Sequence, residues 1–144
     1  MNKSWVILIL LSIAFSCSNS GTELKEIQVE KLLQTTKSWD GTDLPEYPDG
    51  KPEISIVKVS IPPHCKLDLH KHTIINAGVL VAGELTVITE NKDTLRMKSG
   101  DALSEVVETW HFGLNEGETT AEIIVFYAGT PEIPLSVHAV NDNL

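Results

Sequence analysis

Two histidines one residue apart, His70 and His72, stand at the start of a hydrophobic run in the stretch HKHTIINAGVLVAG, residues 70–83. On a β-strand, residues two apart point to the same face, so we expect the two imidazoles side by side and Lys71 pointing away. Two imidazoles on one face can bind a transition metal, although His-x-His is also found at polar strand ends. A third histidine nearby would favour a metal site over a polar strand end.

The segments that must position these histidines are short predicted strands. They are rich in β-branched residues and separated by turn residues at intervals of about 8 to 12 positions, which is typical of a β-sandwich or barrel. No segment after residue 40 has a helical period. The clearest predicted strands lie within residues 54–62, 78–90, 93–103 and 118–129.

The charge of the chain argues against one class of partner. Its 144 residues carry 20 Asp and Glu against 11 Lys and Arg, giving a net charge of −9, and the basic residues are scattered singly. Binding to nucleic acid draws its affinity from clustered Lys and Arg, so we expect no nucleic-acid partner. At 42% hydrophobic residues, the chain can build one domain with a core.

The N-terminal residues differ from the rest of the chain. One Lys precedes an apolar run over residues 5–13, which ends in small residues around Cys17. The run is shorter than the roughly 20 apolar residues of a permanent membrane helix and is typical of a secretory signal. Its end, AFSC, resembles a bacterial lipobox, so we expect residues 1–16 to be removed and Cys17 to be lipidated. Simple cleavage with a free Cys17, or a disulfide to Cys65, are the alternatives.

A third histidine lies in the stretch SGDALSEVVETWHFGLN, residues 99–115. Taken with the first stretch, its spacing resembles the two sequence motifs of the cupin superfamily. The first motif reads His-x-His, then usually Glu, then Gly. The matching positions here are His70, His72, Asn76 and Gly83. Asn76 is the departure from the motif, because it stands where the family usually has Glu.

The second motif begins with Gly, has Pro and Gly in its middle, and ends His-x-x-x-Asn. Gly100, His111 and Asn115 stand at the matching spacing, whereas Val106 and Glu108 occupy the positions of the expected Pro and Gly. The chain is therefore similar to the small single-domain cupins of bacterial envelopes, many of which have no assigned activity.

The resemblance implies an all-β fold over residues 46–138, the double-stranded β-helix or RmlC-like jelly-roll barrel of cupins. It also implies that His70, His72 and His111 converge on one divalent transition metal, with Fe, Mn, Zn, Ni, Cu and Co all compatible. Three protein ligands leave positions open for water or a small-molecule ligand. Asn76 offers a neutral oxygen, so we expect a weak ligand or a hydrogen-bond donor to bound water or substrate.

Glu105 is the candidate catalytic residue. If the strand is regular, residues 105, 107, 109 and 111 share a face, which makes Glu105 a replacement carboxylate ligand or a general base. The alternative is a surface carboxylate without a role in the site. Glu108 is expected in solvent.

The remaining candidates are expected to have no part in metal binding. We expect His64 in a loop, His138 on the surface and Cys65 as an inert thiol. Phe126 and Tyr127 are adjacent on the last long strand, so one of them should line the cavity.

The expected organisation is a signal peptide at 1–16, a tether with an N-terminal strand or loop at 18–45, the cupin domain, and a tail at 139–144. The chain should then lie in the bacterial cell envelope, lipid-anchored in the periplasm or outer membrane. A homodimer is expected, in which residues 34–39 add an edge strand.

Three functions remain open from sequence. One is a metal-dependent enzyme acting on a small molecule, such as an oxygenase or isomerase. Another is a non-catalytic binding or sensing domain, since one fold hosts many functions. The last is a structural dimeric lipoprotein with a vestigial site.

Overall fold

The computed structural model describes residues 26–139, and these residues form strands and loops. Within this range no helix is long and apolar enough to cross a membrane. Residues 31–139 form the β-domain, while residues 26–30 belong to a separate unit and are exposed. The expected signal peptide, Cys17 and residues 140–144 of the expected tail lie outside the described range. The strands are β1 (Glu53–Ile61), β2 (His70–His72), β3 (Asn76–Ala82), β4 (Glu84–Thr89), β5 (Thr94–Lys98), β6 (Ala102–Ser104), β7 (His111–Leu114), β8 (Ala121–Gly129) and β9 (Ser136–His138).

These strands form two antiparallel sheets. One has the order β1-β8-β3-β6 and the other the order β5-β4-β7-β2-β9. The chain crosses between the sheets repeatedly, so neighbours within a sheet are mostly distant in sequence. This arrangement is a double-stranded β-helix, and the prediction of an all-β jelly-roll barrel is confirmed.

The inner faces of the two sheets supply the core. On β8, Ala121, Ile123, Val125 and Tyr127 are buried, and they alternate with more exposed residues. Burying a side chain of this kind contributes about 1.5–3 kcal/mol. The buried core also contains Ile61, Ile74, Leu80, Leu85, Val87, Met97 and Leu103. The alternating pattern read from the sequence thus places one face of each long strand inside the barrel.

Residues 34–39, expected as an N-terminal strand, are a loop anchored to β6. They contain one isolated bridge, from Lys37 to Asp43. The Ser38 hydroxyl donates a hydrogen bond of 2.8 Å to the backbone carbonyl of Glu105, and the Trp39 amide donates one of 2.9 Å to that of Ser104. These tertiary hydrogen bonds replace a strand ladder, so the segment covers one end of β6 in its own chain.

Gly83 turns the chain from β3 into β4, and thus from one sheet to the other. Its φ of +73° is disfavoured for residues with a side chain. A Cβ at this position would lie 2.7 Å from the carbonyl oxygen of Thr120 and 2.8 Å from Cα of Ala121. Since both are backbone atoms at the start of β8, the crossing requires glycine.

Replacing Gly83 by Ala tests this constraint against a matched control. Gly100 also has a positive φ, +97°, but no atom lies within 4 Å of a Cβ built there. Gly100→Ala should therefore cost only backbone strain of about 1–3 kcal/mol. Gly83→Ala should cost a further 1–3 kcal/mol or so from the clash. The free energy of unfolding of each variant can be measured in urea. Equal losses of stability in the two variants would contradict this explanation.

Candidate metal centre

The three predicted histidine ligands meet inside the barrel. His70 and His72 form the ends of β2, His111 begins β7, and β2 pairs with β7 so that His70 lies opposite His111. The ring centroids are 4.5 Å apart for His70 and His111, and 4.9 Å apart for His72 and His111. One ring nitrogen from each residue lies within 4.8 Å of the other two, close enough for one ion to be held between them.

Backbone carbonyls orient each imidazole through its Nδ1 atom. Because a carbonyl oxygen can only accept a hydrogen bond, Nδ1 must carry the proton and Nε2 must carry the lone pair of the neutral ring. Metal-binding histidines generally use their second nitrogen in this way. The hydrogen bonds run from His70 to Asp68 at 2.7 Å, from His111 to Thr109 at 2.8 Å, and from His72 to Leu135 at 3.3 Å.

Burial keeps these rings neutral. Desolvation lowers the pKa of His72 to about 3, with a further contribution from the neighbouring His111. Desolvation also lowers the pKa of His111 to about 4, and it lowers the pKa of His70. The uncharged imidazole is the form that binds a metal, so the environment favours the ligand state.

Glu105 lies beside His111, facing the same space. Its Oε2 atom is 4.0 Å from Nε2 of His111, and both atoms are buried without a hydrogen-bond partner. Buried polar groups are normally paired, so these two atoms remain available to bind a ligand or water in the cavity. The nitrogen lone pairs and the nearby carboxyl are a donor set that suits a divalent transition metal.

The carboxyl of Glu105 is deeply desolvated. This desolvation raises its pKa to about 7. The nearby Trp39 indole N–H offsets part of the effect without completing a hydrogen bond of ordinary geometry. Glu105 therefore takes up a proton much more readily near neutral pH than an exposed carboxyl does, which suits a group that transfers protons.

The position of Glu105 has a different cause from the one expected. Residues 105–110 are not a regular strand: β6 ends at Ser104, β7 begins at His111, and Glu108 has a φ of +56°. Glu105 enters the cavity from one sheet and His111 from the other, because the connecting loop crosses the barrel. Glu108 is exposed and pairs with Lys71.

Two joined compartments surround the histidines. The inner one has a volume of about 60 Å³ and is lined by all three histidines, Glu105 and apolar side chains. The outer one, about 320 Å³ and open to solvent, shares His70, His72 and Tyr127 with it. The inner space holds only a few atoms, so any larger molecule at the histidines must occupy the outer compartment as well.

Comparison with known proteins identifies the fold. Protein-family models and curated proteins gave no match, but solved structures did. The polyketide cyclase RemF from Streptomyces resistomycificus matches with a TM-score of 0.54 and 15% identity over 67% of each chain. The DMSP lyase DddQ from Ruegeria pomeroyi matches with a TM-score of 0.54 and 18% identity over 63% of this chain. An oxalate decarboxylase from Lactobacillus farciminis matches with a TM-score of 0.52 and 21% identity over 59% of this chain. The chain has the cupin fold.

The likeness extends to the fold and no further. This chain covers 45% of the lyase and 26% of the oxalate decarboxylase, so much of each protein has no counterpart here. The identities are low, and proteins that share a fold commonly differ in activity. The function of this cupin-fold chain must therefore be argued from its own site.

Asn76 is not among the residues that line either compartment. It begins β3 and is 1% exposed. Its side-chain N–H donates to the carbonyl of Ile74 at 3.4 Å, while its Oδ1 is buried without a partner. The structure therefore places Asn76 in the core of the barrel and brings together only the three histidines and Glu105.

Asn115, at the end of the second motif, has a structural role. It is fully buried, and its side-chain amide donates to the carbonyls of Ile61 at 2.9 Å, Pro62 at 3.1 Å and Thr119 at 2.8 Å. These bonds tie the end of β1 to the loop before β8. Removing the amide would leave buried carbonyls unpaired.

The sequence analysis missed the position of His138. Its side chain is exposed, as expected, but β9 pairs with β2 so that His138 lies opposite His70, with ring centroids 5.8 Å apart. It lines the outer compartment. No motif surrounds His138, so only the pairing of the last short strand reveals its place. Tyr127 faces the cavity and contacts the His72 ring, while Phe126 points outward.

Proposed function

We propose that this chain holds one divalent transition metal at His70, His72 and His111 and acts on a small molecule bound beside it. The observation that carries the proposal is the convergence of three neutral imidazoles whose Nδ1 atoms are all occupied by backbone carbonyls. With each Nδ1 bonded to the backbone, the three Nε2 lone pairs remain available to a single ion. In this proposal the chain is a metal-dependent enzyme of the oxygenase or isomerase type.

The metal, when bound, would supply Lewis acidity or an oxygen-binding centre. Around it, the apolar side chains of the inner compartment exclude water, and the histidine rings are held by their backbone hydrogen bonds. Glu105 would accept a proton at Oε2 from the bound molecule, or donate one to it. Asn76 lines neither compartment, so we assign it an indirect role, as a hydrogen-bond partner of bound water through its unpaired Oδ1.

Elemental analysis tests the metal. The full chain, purified without chelators or affinity nickel, should carry about one transition-metal ion, because three histidines define one site. His70→Ala/His111→Ala should lose it. His64→Ala is the matched control, since His64 is an exposed histidine in the loop before β2, and it should keep the metal. Absence of metal after supplementation, or its retention in the double variant, would overturn the assignment and favour a non-catalytic binding domain or a structural protein with a vestigial site.

Glu105→Gln separates the two roles of the carboxylate in the same experiment. If Glu105 is a proton-transfer group, the variant should retain the full metal content, because glutamine preserves the size of the side chain and the three imidazoles are untouched. Loss of metal from Glu105→Gln would instead make Glu105 a ligand.

We also propose that the chain is a lipoprotein of the bacterial cell envelope, anchored through Cys17. The support is the sequence alone: an apolar run preceded by one Lys and ended by AFSC. A lipidated cysteine holds a protein at a membrane through the burial of its acyl chains, which contributes about 0.8 kcal/mol per methylene.

Cys17→Ser tests the anchor by detergent partition. The natural chain should enter the detergent-rich phase of Triton X-114 and take up a labelled fatty acid, whereas Cys17→Ser should do neither. Cys65→Ser replaces the other cysteine, which is exposed in the domain, and should behave as the natural chain does. Equal partition of all three proteins would contradict the anchor.

Self-association is the remaining part of the proposal. β1 is an edge strand of nine residues, and its outward side chains include Ile54 and Ile56, which are 66% and 62% exposed. Phe126, on the adjacent β8, extends this apolar surface. A long apolar edge strand is normally paired or covered, and antiparallel pairing of two β1 strands would continue the sheet across a two-fold axis.

Sedimentation of a charged variant tests the dimer. Ile54→Glu/Ile56→Glu should convert a dimer into a monomer, because four carboxylates would face one another across the axis. Asn91→Glu/Thr94→Glu adds the same charge at the exposed hairpin between β4 and β5 and should remain dimeric. A natural chain that sediments as a monomer at micromolar concentration would rule out this pairing.

A further inference from the structure

The two compartments together restrict the kind of molecule that the site can take. They share Val59, Leu67, His70, His72 and Tyr127, so a molecule in the outer compartment reaches the histidines directly. The inner compartment, about 60 Å³, accommodates a small head group at most. The outer one, about 320 Å³, falls at the lower end of the range of small-molecule sites, which begins near 300 Å³.

The lining of the outer compartment combines apolar and polar side chains. Val57, Val59, Leu67 and Leu135 form its apolar part. Ser136 and His138, on β9, lie opposite His72 and His70 and form part of its polar side. An apolar body in this position would be removed from water, at a gain of roughly 25 cal/mol per Å² of buried surface.

The charges of the side chains that line the two compartments also restrict the ligand. Of the described residues that line them, none is Lys or Arg, while Glu105 and Asp68 contribute carboxyl groups. A second negative charge on a bound molecule would therefore meet no cationic partner and would lie near acidic side chains. The net charge of −9 adds to the repulsion.

Lysines of the surrounding strands and loops cannot supply the missing cation without breaking existing contacts. Lys58 pairs with Glu122 at 2.9 Å on the outer face, and Lys71 pairs with Glu108. Lys66 lies over the ring of Phe112, 3.7 Å from its centroid. The positive charge available to a ligand is thus that of the proposed metal. A divalent ion held by three neutral imidazoles carries two positive charges, and these can pair only with anionic groups that reach the ion.

We infer that the ligand of this site is an amphipathic small molecule with one compact metal-binding head, an apolar body and no second anionic group beyond the reach of the metal. The head lies at the three histidines and Glu105, the body lies against the valine and leucine side chains, and any polar group beside Asp68 and His138 is neutral or cationic. The inference rests on the proposed metal function. It excludes, as preferred ligands, molecules whose second carboxylate cannot reach the metal.

Calorimetric titration of the zinc-loaded full chain tests this with three simple acids. Hexanoate has a compact head and an apolar body, acetate lacks the body, and adipate has the length of hexanoate with a second carboxylate. Hexanoate should bind on the order of tenfold or more tightly than either of the others, because its methylene groups are buried and it carries only one charge.

Substitutions in the outer compartment test whether the charge of its lining sets the preference for hexanoate. Ser136→Lys places a cation among its lining residues, and Asp68→Asn removes a carboxylate while keeping the backbone carbonyl that holds His70. Both should narrow or reverse the preference for hexanoate over adipate. Thr94→Lys adds the same charge as Ser136→Lys on an exposed residue of β5 and should leave the preference unchanged.

Zinc content is measured before the titrations, so that a failure of the metal function can be distinguished from a failure of the ligand inference. A chain that does not take up zinc overturns the metal function and the inference with it. A zinc-loaded chain that binds adipate as well as hexanoate, binds acetate as well as hexanoate, or binds none of the three, overturns the inference and leaves the metal centre standing.

Discussion

The site depends on the hydrogen bonds between the Nδ1 atoms of three imidazoles and backbone carbonyls. Each bond fixes the tautomer and the direction of one ring, so the three Nε2 lone pairs point inward before any ligand arrives. The carbonyls of Asp68 and Thr109 lie two residues before His70 and His111, whereas the carbonyl that holds His72 comes from Leu135. The geometry is therefore partly local and partly a consequence of the loop leading into β9.

The double-stranded β-helix gives this arrangement its chemical asymmetry. All three histidines belong to one sheet, and Glu105 reaches the cavity from the end of β6 in the opposite sheet. A molecule between the sheets would thus have metal ligands on one side and a proton-transfer group on the other. Gly83 and the loop 105–110 are two of the places where the chain changes sheets, so the backbone at these crossings positions the site as much as the strands do.

The strands and the His-x-His pair could be predicted from sequence because both leave periodic signals, whereas the double-stranded β-helix and the third ligand His111 were implied by the resemblance to the cupin motifs. The alternation along β8 marks its buried face, and the His-x-His spacing places two rings on one face. Glu105 was expected near the site on the basis of a regular strand that does not exist, since the loop to His111 crosses the barrel instead. His138 and the loop at 34–39 could not be placed, because their positions depend on strand pairing and tertiary hydrogen bonds that no local pattern reports.

The unpaired atoms of the centre explain why such a site belongs to a rigid barrel. The buried Nε2 of His111 and Oε2 of Glu105 have no hydrogen-bond partners within the described residues, and each such group costs about 1–3 kcal/mol. A domain whose total stability is typically about 5–15 kcal/mol can carry that cost only with an extensive core on both sheets. A ligand that satisfies these atoms would bind the folded state alone and would raise its stability in proportion to the logarithm of its concentration. The same unpaired groups that weaken the barrel would thus contribute to the free energy with which it holds a metal.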